Sequence, residues 1–153
     1  MTTTKKMYAF SIDGGEFSSV RIEDLVDDAA ASKVSLLGFH SLDRIGGADT
    51  VIDYRHEITV IIDYPLSKPC NLHISGGGPI TAGRFCKAIA DMYRMIYKEE
   101  ARTSSLPERN IRGMLNRAST DGKYGVWGHS IGDLYLEGAV LREDDAWELF
   151  MGS

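Results

Sequence analysis

The sequence predicts an α+β fold: an antiparallel sheet with one long helix, at about residues 81–102, packed on one face. Three observations lead to this prediction. The chain has 153 residues, the length of one domain, so we expect a single domain over residues 1–153. Short runs rich in β-branched and aromatic residues lie on both sides of a single long amphipathic segment. No internal repeat or linker-like tract interrupts the chain.

The first part of the chain combines strand-like runs with one helical pattern. Residues 7–12 ("MYAFSI") predict a strand that ends at a glycine turn. Residues 18–33 predict a short helix that buries Val20, Leu25, Val26 and Ala29 on one side. The run "VSLLGF", which starts at residue 34, predicts the next strand.

The middle of the chain predicts a hairpin. Residues 50–65 are the stretch richest in β-branched and aromatic residues, and Pro65 ends it. A second strand, residues 69–75, follows after three residues, so we expect the two strands to pair antiparallel. In this hairpin His56 and His73 are expected to be neighbours.

The histidines of the hairpin raise the alternative of a metal site. Asp53, Glu57 and Asp63 lie on the same predicted strand as His56, and two histidines with a carboxylate can bind a divalent ion. No spacing in the sequence enforces such a site, and alternating polar residues on a strand usually form its solvated face. We therefore predict no metal ion and no cofactor.

The long helix is predicted from apolar residues at helical spacing, with charged residues on the opposite face. We expect it to begin early, with Pro79 or Ile80 in its opening turn. The buried stripe of this helix consists of Phe85, Ala88, Ile89, Met92 and Ile96.

Three further elements are expected after the long helix. Residues 108–119 predict a short second helix, and residues 133–141 predict a strand because apolar and polar residues alternate there. The last segment, residues 142–153, predicts one acid-capped helical turn or a loose tail. Its Trp147 and Phe150 can dock on a partner or pack back on the sheet.

Charge and composition narrow the function classes. The formal net charge is −5 and no basic stripe is evident, so we expect no nucleic-acid partner. No apolar run approaches the length of a membrane span, and the first residues lack the apolar core of a signal peptide. We expect an intracellular, cytoplasmic protein.

Residues 128–132 ("GHSIG") fit G-x-S-x-G, the turn that presents the nucleophilic serine of α/β-hydrolases, here Ser130. In those enzymes the histidine follows the serine, and the residues after Ser130 resemble a strand rather than the required helix. In this chain all four histidines precede Ser130: His40, His56, His73 and His129. A triad in another order could recruit one of the first three, but nothing in the sequence selects it. A small serine hydrolase is therefore an alternative, and we predict no catalytic residue.

Residues 78–84 have the spacing of a phosphate-binding loop between a strand and a helix. Arg84 replaces the lysine, Phe85 replaces the metal-binding hydroxyl, and Pro79 removes one amide, so we do not expect nucleotide hydrolysis. A helix N-terminus can still hold a small anion. A small-anion or ligand-binding domain is thus a second alternative, with its site at the helix entrance, residues 76–81. Its anion-binding residues are Gly77, Gly78, Thr81 and Arg84.

Three segments carry a resemblance to a group of proteins: "VIIDYPLSKP", "ITAGRFCKAIADMYRMIYKEEA" and "MLNRASTDGKYGVWGHSIGDLYLEG". They resemble proteins of large DNA viruses of protists and algae, and of some protists. In that group a D-Y-P-L strand and a helix precede G-K-Y-G-x-W-G-H-x-I-x-D-L. The resemblance covers residues 58–138 and implies a viral or host source, without an established activity. Aspartate is common in that group at the position of Ser130, which implies a turn cap rather than a nucleophile.

The polar and aromatic residues of this motif form either a surface binding site or a buried network. They are Asn116, Arg117, Asp121, Lys123, Tyr124, Trp127, His129 and Asp133. We favour the network, because indole and imidazole groups need partners when buried. If the segment is a site instead, its binding residues are Lys123, Tyr124, Trp127, His129 and Asp133.

The absence of a convincing enzyme motif decides the functional expectation. We predict a non-enzymatic interaction or structural protein that binds another protein, or itself as a homo-oligomer. The resemblance extends this to a component of a viral particle or of a larger assembly.

Overall fold

The computed structural model describes residues 6–12, 19–38, 45–106 and 119–153. Within these ranges the chain forms ten strands, two α-helices and two 3-10 turns. The helices are Asp28–Ala31 (α1) and Ala82–Thr103 (α2), and the 3-10 turns are Ile22–Asp24 and Ile131–Asp133. The strands are Met7–Ile12 (β1), Val20–Arg21 (β2), Val34–Gly38 (β3), Ile45–Gly46 (β4), Val51–Asp53 (β5), Glu57–Ile62 (β6), Cys70–Ser75 (β7), Ile80–Thr81 (β8), Tyr135–Leu141 (β9) and Trp147–Gly152 (β10).

Eight of these strands form one sheet in the order β4-β3-β1-β9-β10-β6-β7, with β2 paired to one end of β9. The predicted α+β class is confirmed. Among the described strands, β10 and β6 pair in parallel and the other pairs are antiparallel, so the sheet is mixed. β10 forms an antiparallel pair with β9. Because β10 and β6 are distant in the chain, no local sequence pattern determines whether these two strands pair in parallel or antiparallel. β5 and β8 form a second, two-stranded sheet.

Helix α2 packs on the sheet through aromatic side chains. The Thr81 hydroxyl caps the helix by accepting a hydrogen bond of 3.2 Å from the Arg84 amide. Phe85, one turn further, is fully buried. Its ring centroid lies 5.7 Å from that of Phe10 in β1 and 5.6 Å from that of Trp147 in β10. The predicted long helix is therefore confirmed, and its apolar side faces the core.

Two details of the predicted helix are wrong. The helix begins at Ala82 rather than at Pro79 or Ile80, because Ile80 and Thr81 pair with β5 as β8. Within the predicted stripe, Ala88 and Met92 are only half-buried. The buried face instead follows a helical repeat through Phe85, Ile89, Tyr93, Ile96 and Glu100.

The predicted hairpin exists, but its first strand is divided. β6 pairs antiparallel with β7 over six residues, as expected. Residues 54–56 separate β6 from β5, because buried Asp53 accepts hydrogen bonds from the Arg55 amide (2.9 Å) and the Arg55 guanidinium. The same carboxylate accepts a bond of 2.9 Å from Trp147 Nε1, which ties this break to β10.

The helix predicted at residues 18–33 is wrong. The segment forms β2, a 3-10 turn and α1, which Asp27 caps by accepting from the Ala30 amide at 2.7 Å. Val20 and Ile22 are both fully buried although they are two residues apart, a spacing that a single helix face does not give. Val26, expected on the buried side, is 63% exposed.

The end of the chain also differs from expectation. Residues 147–152 form β10 instead of a helical turn or a tail, because Trp147 and Leu149 alternate into the core beside β9. The strands predicted at residues 7–12, 34–39 and 133–141 are confirmed as β1, β3 and β9. The helix predicted at residues 108–119 lies outside the described residues except for Ser119.

Candidate functional site

The motif segment forms a loop, residues 119–130, which we call the Trp127 loop. Two isolated bridges hold it, one between Leu66 and Val126 and one between Ser119 and Trp127. The Trp127 amide donates a hydrogen bond of 3.1 Å to the Pro65 carbonyl. The loop is thus attached by backbone hydrogen bonds to the segment that follows β6.

The carboxylate of Glu100, from the last turns of α2, lies inside the Trp127 loop. Glu100 is 3% exposed, and its oxygens accept from the amides of Gly122 (2.8 Å), Tyr124 (2.7 Å) and Gly125 (3.2 Å). The hydroxyl of Thr120 donates to the same carboxylate. Burial alone raises the pKa of Glu100, but the bonds from Thr120 and the three amides outweigh it and lower the pKa below its ordinary value. The group is therefore held as a buried anion.

This arrangement requires glycine at position 122. A Cβ there would lie 2.6 Å from Thr103 Oγ1 and 2.7 Å from the Glu100 carboxyl group. Gly125 has a φ of 66°, in the left-handed region that favours glycine. Gly122 and Gly125 therefore allow the backbone amides to approach the carboxylate, which is a structural role.

Asp121 makes a second connection between the end of α2 and the loop. Its carboxylate accepts from the hydroxyls of Ser105 and Ser104, the latter at 2.7 Å, and from the Ser105 amide at 2.7 Å. These bonds, led by that from the Ser105 hydroxyl, lower the pKa of Asp121 well below its usual range. Asp121 thus holds the exposed side of the loop against the end of α2.

Three aromatic rings meet at the far end of the loop. The Trp127 ring packs edge-on against Tyr64, with centroids 5.5 Å apart, and lies 5.4 Å from the His129 ring. His129 Nε2 and the Tyr64 hydroxyl are 2.9 Å apart, and the Tyr64 hydroxyl is 3.0 Å from Ser153 Oγ. The Tyr97 hydroxyl donates to the His129 carbonyl at 2.9 Å. Hydrogen bonds therefore fix the rings on which Trp127 rests.

The five predicted binding residues divide between core and surface. Tyr124 and His129 are buried, at 6% and 9% exposure, in agreement with the favoured network. Trp127 is 39% exposed, so the expectation that its indole is part of a buried network is wrong for this residue. Lys123 is exposed, with Nζ 5.5 Å from the centroid of the Tyr124 ring. Asp133 lies beyond the loop, in the second 3-10 turn.

Ser130 occupies the N-cap of that 3-10 turn. Its amide donates to Asp133 Oδ2 at 3.1 Å, which is one of the two bonds of a capping box, and its hydroxyl lies 3.2 Å from the same oxygen. The turn continues into strand β9 rather than into the helix of a nucleophile elbow. These contacts suit a cap, and they give the serine hydrolase alternative no specific support.

The predicted anion site at the helix entrance is occupied by hydrogen bonds within the chain. The Ala82 and Gly83 amides donate to the Thr50 and Ala48 carbonyls, both at 2.9 Å, and the Arg84 amide is used by the Thr81 cap. The Arg84 guanidinium donates to the carbonyls of Ser75, Gly76, Gly78 and Pro79. Gly77 and Gly78 have φ values of 72° and 83° in this turn. The Arg84 guanidinium and the first amides of α2 are thus committed, and the structure does not favour this alternative.

The expectation that His56 and His73 are neighbours in the hairpin is wrong. His73 pairs with Thr59, and its Nδ1 lies 3.2 Å from the Thr59 hydroxyl, whereas His56 lies before β6 begins. Within the described ranges, no group of three or more histidine, cysteine, aspartate or glutamate side chains is placed to hold a metal ion.

Sequence reasoning missed Glu100 and Tyr64. Glu100 could have been found, because it falls four residues after Ile96 and seven after Tyr93 on the apolar face, where an acid needs a buried partner. Tyr64 carries no comparable signal. Its contact with His129 joins residues 65 positions apart, which no local pattern predicts.

Comparisons with protein-family models, with curated proteins and with solved structures find no match for this chain. Among the helices that the structure describes, none combines the length and the apolar character that crossing a membrane requires.

Proposed function

We propose that this protein is a non-enzymatic interaction module that binds another protein, or a second copy of itself, through the surface around Trp127. The observation that carries the proposal is a 39%-exposed indole that rests on rings fixed by hydrogen bonds. Tryptophan is enriched among the residues that dominate protein–protein binding energy.

The contacts that hold Trp127 support this role. Its amide is bonded to Pro65, its neighbour Ser119 forms a bridge with it, and its ring packs against Tyr64 and His129. A side chain that is already ordered loses little conformational entropy when it binds, so more of the contact energy becomes affinity.

Trp127 also offers one directional contact. In the described part of the chain, no acceptor is hydrogen-bonded to the indole Nε1 of Trp127, whereas the Nε1 of buried Trp147 is satisfied by Asp53. An indole in this position can bury its ring and donate to a backbone carbonyl of a partner.

We propose an intracellular setting, within a larger assembly that is a virus particle if the resemblance to viral proteins reflects common origin.

The experiment introduces a photo-crosslinking amino acid at Lys123, an exposed residue of the Trp127 loop, in the protein expressed in its native cell. We expect crosslinks to one defined protein, or to a second copy, identified by mass spectrometry. Affinity for that partner is then measured for the wild type and for Trp127→Ala. We expect a loss of about tenfold or more, the size of a hot-spot residue.

Tyr54→Ala is the matched control. Tyr54 is 74% exposed and follows Asp53, which bonds to Trp147 at the start of β10. Tyr64 and Trp127 instead lie near Ser153, which follows the end of β10. We expect Tyr54→Ala to bind as the wild type does. Wild-type affinity in Trp127→Ala, or the absence of a defined crosslinked protein together with a monomer at all concentrations, would disprove the proposal.

A further inference from the structure

Helix α2 carries two adjacent carboxylates with different surroundings. Glu99 pairs with Arg102 on the helix surface at 2.6 Å. Glu100, one residue later, points into the Trp127 loop and is 3% exposed. Because neighbouring residues on a helix point about 100° apart, one carboxylate faces solvent and the other faces the loop. The sequence "EE" therefore contains one solvated acid and one internal ligand.

The donors around Glu100 form a pocket for an anion. Amide hydrogens of three loop residues and one hydroxyl converge on the two carboxylate oxygens. A concave set of backbone amides of this kind binds anions in many proteins. A glutamine in place of Glu100 would direct its own NH2 group at one of these amides, so an uncharged analogue does not fit.

Hydrogen bonds continue from this pocket to Trp127. Thr120, which donates to Glu100, also accepts from the Val126 amide at 2.9 Å through its hydroxyl, and its own amide donates to the Val126 carbonyl at 2.9 Å. Val126 is the residue before Trp127 and is bridged to Leu66. The Thr120 side chain and the backbone pairing of Thr120 with Val126 therefore connect the Glu100 carboxylate to the backbone of Trp127.

We infer that Glu100 is a positioning residue, whose carboxylate acts as the internal ligand of the Trp127 loop and sets the position of the Trp127 indole for binding. This inference rests on the proposed function for its biological meaning. Its structural content can be tested without a partner. A role limited to global stability would affect both tryptophans alike, whereas a positioning role affects Trp127 and leaves Trp147 unchanged.

The test uses the full chain labelled with 5-fluorotryptophan and observed by 19F NMR, with Trp127→Phe to assign the two signals. Trp147, fully buried in the core, reports on the global fold, and Trp127 reports on the loop. We expect Glu100→Gln to shift or broaden the Trp127 signal and to leave the Trp147 signal in place. Glu99→Gln, the same change one residue earlier, should leave both signals unchanged.

Rescue by a small anion provides the second measurement. In Glu100→Ala, added formate can occupy the vacated pocket, so we expect the Trp127 signal to return toward its wild-type position with saturable dependence on formate. Chloride at the same ionic strength should restore the Trp127 signal less, because it has no pair of oxygens to accept the two sets of hydrogen bonds. If Glu100→Ala does not fold, Thr120→Val removes one donor and should produce a smaller displacement of the Trp127 signal alone.

The outcomes separate this inference from the proposed function. An unchanged Trp127 signal in Glu100→Gln, or parallel changes of both tryptophan signals in Glu100→Gln and Thr120→Val, overturns the positioning role. Wild-type partner affinity in Trp127→Ala overturns the proposed function instead. A displaced Trp127 signal in Glu100→Gln, with formate rescue of both the signal and partner affinity in Glu100→Ala, supports the two together.

Discussion

At the scale of the residue, the glycines beside Glu100 are as important as the carboxylate. Backbone amides reach a buried anion only where no side chain keeps the backbone away from it. Gly122 meets this condition, since a Cβ there would lie closer than 3 Å to Thr103 and to Glu100 itself. The glycines at positions 122 and 125 are therefore explained by the approach of the backbone to a carboxylate.

We predict that Gly122→Ala destabilises the fold by about 1–3 kcal/mol, the usual cost of overfilling a packed site. The control is Gly47→Ala, because a Cβ at position 47 would meet nothing within 4 Å. Urea denaturation of both variants measures the free energy of unfolding. Equal midpoints for the two alanine variants would show that the approach around position 122 is loose and would contradict the geometry of the Glu100 pocket.

At the scale of the element, α2 joins the core to the candidate site. Its apolar face places Phe85 between Phe10 and Trp147, and the same face, extended by four turns, ends at Glu100. The start of the helix is defined by the Thr81 cap and by two amides bonded to the segment before β5. The residue at which α2 begins therefore determines which side chain of the helix faces the Trp127 loop.

We predict that Thr81→Ala lowers the free energy of unfolding by about 1 kcal/mol, the typical value of a lost N-cap. Thr81→Ser keeps the hydroxyl and should cost clearly less. Thermal or urea unfolding followed by far-ultraviolet circular dichroism measures both variants. A serine variant as unstable as the alanine variant would indicate that the threonine methyl group, rather than the cap, stabilises this end of α2.

The last strand shows how an element depends on its surroundings. Residues 142–146 carry three acids, which suggested the start of a helix, but Arg142 and Ala146 form a backbone hydrogen bond of 2.8 Å that closes a turn. Asp145 has a φ of 66° within it. The turn directs β10 back along β9, where Trp147 enters the core. Contacts with the sheet therefore override the local helix signal.

At the scale of the whole molecule, two buried acids lie at different points of the structure. Asp53 joins β5 to β10 through Arg55 and Trp147, and burial, which raises its pKa, is outweighed by these hydrogen bonds, so the pKa is lowered. The pKa of Glu100 is lowered likewise. Both groups bind protons more weakly in the folded chain than in the unfolded chain. Their contribution to stability is present above the ordinary carboxyl pKa and is lost as the pH falls through the folded-state pKa.

We therefore predict that the free energy of unfolding decreases as the pH is lowered from about 7 to below about 4. Glu100→Gln removes one of the responsible groups, so its stability, although lower at neutral pH, should fall less steeply with acid. Glu57→Gln, at an exposed strand residue, should keep the wild-type slope. Urea titrations at a series of pH values measure the slopes, and identical slopes for Glu100→Gln and the wild type would argue against a buried, ionised Glu100.

The sequence by itself determined those features that depend on short-range periodicity. The α+β class, the presence of the long helix α2, the β6–β7 hairpin and strands β1, β3 and β9 follow from spacings of two and of 3.6 residues, which steric and hydrogen-bonding rules impose within a few residues of chain. That no histidine follows Ser130, as the α/β-hydrolase order requires, was also visible in the sequence alone.

The tertiary structure decided which segments meet and which side chains are exposed. Only the assembled fold places Tyr64 beside His129, leaves Trp127 on the surface, and directs Glu100 rather than Glu99 into a ring of amides. These contacts join residues that are distant in the chain, and their energies depend on burial and on the direction of each donor. Periodicity along the chain contains neither quantity, and for this reason the candidate site became visible only in the folded molecule.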